Sequence, residues 1–117
     1  MSNLETSARD RGHKTYEAYF GRRRSEPSND LDEMTLGHLF ANVWSRPRLS
    51  MESRSLVTIA LLASQGRDDE LKSHIAGARH QGCSKMDIEE LMIHVAHYAG
   101  WAAGHHGLGV LNETWPD

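Results

Sequence analysis

The sequence predicts an all-α fold in a single domain. Apolar residues recur at helical spacing in several segments, glycines follow the ends of these segments, and no stretch alternates apolar and polar residues between turn dipeptides. At 117 residues the chain is long enough for one hydrophobic core and too short for two ordinary domains. We therefore expect a compact bundle of five to six helices over 1–117, with an N-terminal helix and connector at 1–27 and a helical core at 28–113.

The first part of the chain predicts two helices joined by a connector. The first helix covers about 4–20 and stops at Gly21, since glycine commonly ends helices. Glycine, proline, serine and asparagine crowd the segment 21–30, which is typical of a loop. The second helix covers about 30–44 and ends soon afterwards, because Pro47 disfavours helical backbone in the residue before it.

Capping residues delimit the next two helices. Ser50 is the predicted N-cap of a third helix that ends at Gly66, and residues 56–63 within it are apolar almost all round. Such a helix belongs in the middle of a protein or in a subunit interface, which predicts a homo-oligomer. A strand over 55–62 is the alternative, but the length of the segment favours a helix. A fourth helix should cover about 69–81.

A fifth helix has two different faces. Ser84, with Asp87 three residues later, predicts a capping-box start. One face is an apolar stripe made of Ile88, Leu91, Met92, Val95 and Ala99. The opposite face is polar and aromatic and gathers Glu90, His94, His97 and Trp101. We expect the helix to break near Gly100 and a short sixth helix to follow, because several glycines crowd the end of the chain; the alternative is that these glycines allow close helix packing.

Composition excludes several classes of function. The formal net charge is -3, so no global basic field indicates a nucleic-acid partner. Cys83 is the only cysteine, which rules out an internal disulfide and fits a reducing compartment. No apolar run approaches the length of about 20 residues that spans a bilayer, and the N-terminus has no apolar core like that of a secretory signal. We expect a cytoplasmic protein without a membrane partner.

Several motifs in order carry a specific resemblance. The segments NVWSRPRL, RSLVTIA and VAHYAG are similar to motifs of the gamma-carboxymuconolactone decarboxylase family, and the similarity extends over about 19–106. The resemblance implies an all-α oligomer, commonly a trimer or hexamer, with the active site between helices and subunits. It also implies a cofactor-independent decarboxylation of a lactone diacid from aromatic catabolism, and no metal.

The wider superfamily includes alkylhydroperoxidase D-like enzymes, which carry Cys-x-x-Cys followed three residues later by histidine. If His74 takes the place of that histidine, the two cysteine positions hold Asp68 and Leu71. Cys83 has no partner that would resolve a sulfenic acid, so the redox chemistry is not expected. We interpret this cysteine as a small residue in a turn.

The chain departs from the family pattern at five informative positions. Asn42 stands where the family has glutamate, His94 where it has glutamine, and His97 where it has valine. Trp101 and His105 replace residues of the turn that follows. A carboxylate is lost and imidazoles are gained, in positions that would face one pocket if the family fold holds. These changes affect the expected substrate more than the expected fold.

Decarboxylation without a cofactor requires groups that bind carboxylates, stabilise an enolate-like charge and supply a proton. The family resemblance assigns His74 as the proton donor or enolate stabiliser; the alternative is a histidine hydrogen-bonded between helices. Arg46 and Arg54 belong to the family pattern and could hold a carboxylate bidentately, or could pair with nearby acidic residues. Trp44 fits pocket or core equally well.

The histidines of the fifth helix predict a pocket wall. His94 and His97 are one turn apart, with Trp101 one turn beyond His97, so together they could shuttle protons and stack on a flat substrate. A metal is the alternative, with Glu90 or His105 as the third ligand. The spacing is not His-Glu-x-x-His and no Glu-x-x-His pair occurs, so we expect neither a metal nor another cofactor.

These observations lead to one principal hypothesis and two alternatives. The principal hypothesis is a cofactor-independent, decarboxylase-like enzyme acting on a carboxylated lactone or related cyclic acid, with acid-base chemistry from His74, His94 and His97. The predicted substrate-binding residues are Asn42, Trp44, Arg46, Arg54, Trp101 and His105. His105 and His106 could equally belong to a pocket lid or an exposed loop. The alternatives are a diverged isomerase, hydrolase or other lyase of a biosynthetic pathway, and a non-catalytic oligomeric binding protein.

Overall fold

The computed structural model describes residues 3–117, with side chains from Ser7 onward, and this part of the chain contains helices and no strand. The elements are α1 (Asn3–Phe20), α2 (Asp30–Met34), a π-helical segment (Thr35–Val43), α3 (Met51–Gln65), α4 (Asp68–His80), α5 (Lys85–Ala99) and α6 (Trp101–Thr114). The all-α prediction is confirmed. The alternative strand over 55–62 is wrong, because these residues belong to α3.

Glycines end the helices where the sequence predicts. Gly66 and Gly82 follow α3 and α4 with φ of 68° and 94°, a left-handed conformation that costs glycine little. The N–H of Arg67 donates to the carbonyl of Leu62, and the N–H of Cys83 donates to the carbonyl of Ala78, both at 3.0 Å. These bonds satisfy carbonyls at the two helix ends in the Schellman arrangement.

The start and the inner face of α5 also follow the sequence. The Asp87 N–H donates to Ser84 Oγ at 3.0 Å, and the Ser84 N–H donates to the Asp87 carboxylate at 3.4 Å, which completes the predicted capping box. Ile88, Met92 and Val95 of the apolar stripe are buried. Ala99, at the end of the stripe, is exposed because α5 ends there.

The predicted second helix is not a uniform α-helix. Beyond Met34 it continues as the π-helical segment, and the Trp44 N–H donates to the carbonyl of Leu39, five residues earlier, at 2.9 Å. This segment approaches α1 closely, since a Cβ on Gly12 would lie 1.8 Å from the Leu36 carbonyl oxygen. The wider turn changes which side chains share a face, a shift that 3.6-residue periodicity does not predict.

The chain divides into two compact units, Met1–Met51 and Glu52–Asp117. The core of the N-terminal unit is aromatic and consists of Tyr16, Tyr19, Leu36, Phe40 and Trp44. The core of the C-terminal unit is mainly aliphatic and is centred on Ile59, Leu71, Ile75, Ile88, Met92 and Leu111. No helix in the described part of the chain is long and apolar enough to cross a membrane. The prediction of one domain stays a prediction.

Candidate active site

Close packing of α5 against α6 creates the candidate site in the C-terminal unit. Gly100, with φ of 117°, separates the two helices, as predicted. A Cβ on Gly104 would lie 2.5 Å from the Ala96 Cβ, and a Cβ on Gly107 would lie 2.5 Å from the Met92 Sδ. The two helices therefore approach at a distance that only glycine allows at these positions.

A cavity of about 140 Å³ lies at this helix pair. It is lined by Met92, Ile93, Ala96, His97, Trp101, Gly104, His105 and Leu108. His97 and His105 are the only titratable side chains in this lining, and no lysine, arginine or carboxylate contributes to it. The cavity is thus a mainly apolar surface with two imidazoles that can exchange protons, and His97, Trp101 and His105 are all exposed to solvent there.

His97 is held in one tautomer by its own helix. Its Nδ1 lies 2.7 Å from the carbonyl oxygen of Ile93, one turn earlier. A carbonyl oxygen only accepts hydrogen bonds, so Nδ1 carries the proton and Nε2 is the nitrogen left for a ligand. The ring meets Trp101 edge-on, with 5.0 Å between centroids and 71° between planes.

The structure separates histidines that the sequence grouped. His94 is exposed, stacks on Tyr98 with 4.8 Å between ring centroids, and does not line the cavity. The prediction that Trp101 shares one face of a single helix with His94 and His97 is wrong, because Trp101 begins α6 and does not continue α5. His105 lines the cavity, whereas His106 Nε2 lies 2.8 and 2.9 Å from the two carboxylate oxygens of Asp68.

His74 lies half-buried on α4 and is not part of the cavity lining. Burial lowers the pKa of its imidazole from 6.5 to about 4, and the negative charge of Glu70 opposes the shift only in part. The imidazole is therefore neutral at pH 7. It can donate an N–H hydrogen bond to a developing enolate, but it is not a cationic acid in its resting state.

The remaining predicted residues lie outside this cavity. Asn42 and Arg46 belong to the N-terminal unit, where Asn42 Oδ1 accepts a hydrogen bond from Arg11 Nη2 at 3.4 Å. Trp44, predicted as pocket or core, is 7% exposed and stacks on Phe40 in the core of that unit. Arg54 is on α3 and does not line the cavity. The substrate-binding roles of these residues stay predictions.

The N-terminal unit contains another, larger cavity of about 480 Å³. Its lining is charged, and Arg9 Nη2 pairs with Glu33 Oε1 at 2.6 Å. Because the one arginine of this lining already pairs with Glu33 and none of the predicted site residues lines this cavity, the cavity at α5 and α6 is the stronger candidate. Among the side chains described from Ser7 onward, no group of three histidine, cysteine or acidic residues is placed to hold a metal ion.

Cys83 is buried directly after Gly82, in the turn where the sequence predicts a small residue. Burial raises the pKa of its thiol, an effect that the nearby Glu52 and Asp87 charges reinforce. A thiol kept protonated is a poor nucleophile, since the thiolate is the reactive form. Cys83 does not line the cavity, whose titratable side chains are the two imidazoles.

Sequence patterns missed most of the cavity wall. Met92 was predicted as core, and Ile93, Ala96, Gly104 and Leu108 were not singled out. The spacing from Ile93 to His97 carried a usable signal, because a histidine Nδ1 can reach the carbonyl four residues earlier in a helix. The crowding of glycines near the chain end was the other signal, since glycine permits close helix packing.

Fold and site together define an all-α protein with a histidine-containing cavity at a helix pair. The family model of the carboxymuconolactone decarboxylase family matches residues 29–113, so the chain belongs to this family. It is 40% identical over 90 residues to 4-carboxymuconolactone decarboxylase of Acinetobacter baylyi, covering 77% of this chain and 67% of that protein. It is 38% identical over 78 residues to nitrosuccinic acid decarboxylase of Metarhizium robertsii, covering 67% of this chain and 54% of that protein.

Proposed function

We propose that the protein is a carboxy-lyase that removes carbon dioxide from a small carboxylated substrate bound in the cavity at α5 and α6. The two relatives described above are both named as decarboxylases, which supports this class of reaction. A carboxylated lactone or related cyclic acid is the proposed substrate.

One observation carries the assignment of the site: His97, whose Nδ1 is engaged by the Ile93 carbonyl, lines a mainly apolar cavity. When the bond to the carboxylate breaks, its electron pair moves onto an acceptor within the substrate and a carbanion equivalent remains. An imidazole that has taken a proton from solvent at Nε2 can deliver it to that carbon. His97 supplies this group, and His105 lies on the same wall to hydrogen-bond the substrate.

The apolar wall favours the same reaction. No lysine or arginine lines the cavity, so a carboxylate that enters it exchanges part of its hydration for contact with groups such as Met92 and Leu108. Carbon dioxide is uncharged and loses little on leaving water. Bond cleavage moves the charge of the carboxylate onto a more delocalised carbanion equivalent, which depends less on hydration, so an apolar surrounding favours it.

His74 enters the proposal as a neutral hydrogen-bond donor to enolate oxygen, which is the form that its lowered pKa supports. It does not line the cavity of one chain, so its contribution must be tested separately from that of His97. His94 is exposed on α5, and its proposed acid-base role must likewise be tested separately from that of His97.

Exposed apolar side chains support a homo-oligomer, proposed as a trimer or hexamer. Val57 and Leu61 on α3 are 53% and 54% exposed, and Tyr98 and Trp101 near the cavity are 83% and 60% exposed. Covering such side chains is favourable by roughly 25 cal/mol for each Å² of apolar surface removed from water. A second copy of the chain would cover them and would explain why α3 is apolar almost all round.

Release of carbon dioxide from 4-carboxymuconolactone tests the proposed function. Replacing His97 with glutamine should lower kcat/KM by about 10²- to 10⁴-fold, the usual effect of losing an acid-base group. The matched control is His80→Gln, which makes the same change at an exposed histidine outside the cavity and should leave turnover unchanged. Full activity of His97→Gln would contradict the site. No carbon dioxide from 4-carboxymuconolactone or nitrosuccinate would favour the binding-protein or isomerase alternatives.

A further inference from the structure

The hydrogen bond inside α5 assigns a direction to proton transfer at His97. Because Nδ1 donates to the Ile93 carbonyl at 2.7 Å, the neutral ring has its unshared electron pair at Nε2. This bond is between residues four apart in one helix, so it holds the tautomer whether or not a substrate is bound. A neutral His97 ring with this tautomer is a proton acceptor at Nε2.

The surroundings of Nε2 suit a base acting on carbon. Met92, Ala96 and Leu108 supply an apolar wall, and the Trp101 ring packs edge-on beside the imidazole. The cavity volume of about 140 Å³ is close to that of an engineered protein cavity of about 150 Å³ that binds benzene. A ligand core of about six heavy atoms would therefore fit against the imidazole.

We infer that His97 Nε2 removes a proton from carbon, so that the protein catalyses reversible C–H exchange of small acids whose C–H bond is next to a carbonyl or nitro group. The C–H bond breaks, its electron pair moves onto the neighbouring acceptor to form an enolate or nitronate, and Nε2 takes the proton. The N–H proton then exchanges with solvent, and the reverse transfer reforms the C–H bond. No net oxidation or loss of atoms occurs.

This activity rests on the proposed function, because it uses the same nitrogen that would return a proton after carbon dioxide leaves. By microscopic reversibility, a group that protonates a carbanion also deprotonates the corresponding carbon acid. The exchange nevertheless needs no carboxylate departure, so it can be measured independently.

The experiment follows 3-nitropropanoate in D₂O by proton NMR, in phosphate buffer, and measures the loss of signal from the carbon next to the nitro group. The wild-type protein and His80→Gln should both accelerate exchange at least about tenfold over buffer, a small part of the usual acid-base effect. His97→Ala should exchange at the buffer rate while its circular dichroism stays helical. Added imidazole should restore exchange to this variant, because it can occupy the space that the side chain leaves.

Two results would overturn the inference. One is wild-type exchange that stays at the buffer rate, or that the His97→Ala substitution leaves unchanged. If the wild type still releases carbon dioxide, this result refutes the proposed C–H exchange and not the decarboxylase proposal. The other is a long-range ¹H–¹⁵N spectrum showing the neutral His97 ring protonated at Nε2, whatever the activity. Exchange that depends on His97 without any carbon dioxide release would support the inference and refute the decarboxylase proposal.

Discussion

Acidification provides a direct test of the burial of His74. Its pKa is about 4 in the folded chain, against an ordinary value of 6.5, because burial disfavours the charged imidazolium. Between these two values the unfolded chain binds a proton that the folded chain does not bind. The free energy of unfolding should therefore be unaffected by His74 above pH 6.5, fall as the pH drops below 6.5, and reach its full loss below about 4.

The size of the effect follows from the difference between the two pKa values. The gap between 6.5 and about 4, at about 1.4 kcal/mol per unit, corresponds to about 3 kcal/mol. This is a large share of the total stability of a small protein, which is typically about 5–15 kcal/mol.

Urea denaturation of the wild type and of His74→Gln, at several pH values from about 7.5 down to 4, isolates this contribution. Glutamine is polar and does not titrate, so the carboxylates and the other histidines affect both proteins equally. The wild type should lose about 3 kcal/mol more than the variant over this range. Parallel pH profiles for the two proteins, or an NMR titration of the His74 ring with a midpoint near its ordinary value, would refute the assignment of a buried neutral imidazole.

Further predictions concern helix packing and assembly. Gly104→Ala should lower the free energy of unfolding by about 1–3 kcal/mol, because the added Cβ would meet the Ala96 Cβ and the Met92 carbonyl oxygen at 2.5 and 2.8 Å. The control is Gly109→Ala in the same helix, where an added Cβ would have nothing within 4 Å. It should leave the free energy of unfolding unchanged or raise it by up to about 1 kcal/mol. Equal urea midpoints for the two variants would contradict the close packing of α5 and α6. Leu61→Glu should reduce the mass measured by light scattering to that of one chain, whereas Ala76→Glu, which adds the same charge at an exposed position on α4, should leave the assembly intact. A wild-type protein with the mass of a single chain would contradict the proposed oligomer.

Local sequence signals predicted the helices well because helix ends depend on nearby residues. Gly66 and Gly82 adopt positive φ and allow the Schellman bonds, and Ser84 with Asp87 satisfies the first N–H groups of α5. The π-helical register after Met34 was not predicted, since apolar spacing alone does not distinguish hydrogen bonds to the fourth and the fifth preceding residue.

The candidate site was predicted only in part. His97, Trp101 and His105 line the cavity as expected, whereas His94 does not. Three residues advance a helix by about 300°, which leaves about 60° between His94 and His97. That angle is enough for one ring to contribute to the wall shared with α6 while the other does not, although both histidines are exposed, and sequence spacing does not reveal where the wall ends.

By itself the sequence determined the helical class, the helix ends, the family and the presence of a histidine-rich segment, because propensity, capping and motif order are properties of neighbouring residues. Only the tertiary structure decided which imidazoles act together. Gly104 and Gly107 allow α6 to approach α5, and this packing places His105 at the cavity while His106 pairs with Asp68. Adjacent helical residues differ by about 100° in direction, so the packing of α5 against α6 places His105, and not His106, at the cavity.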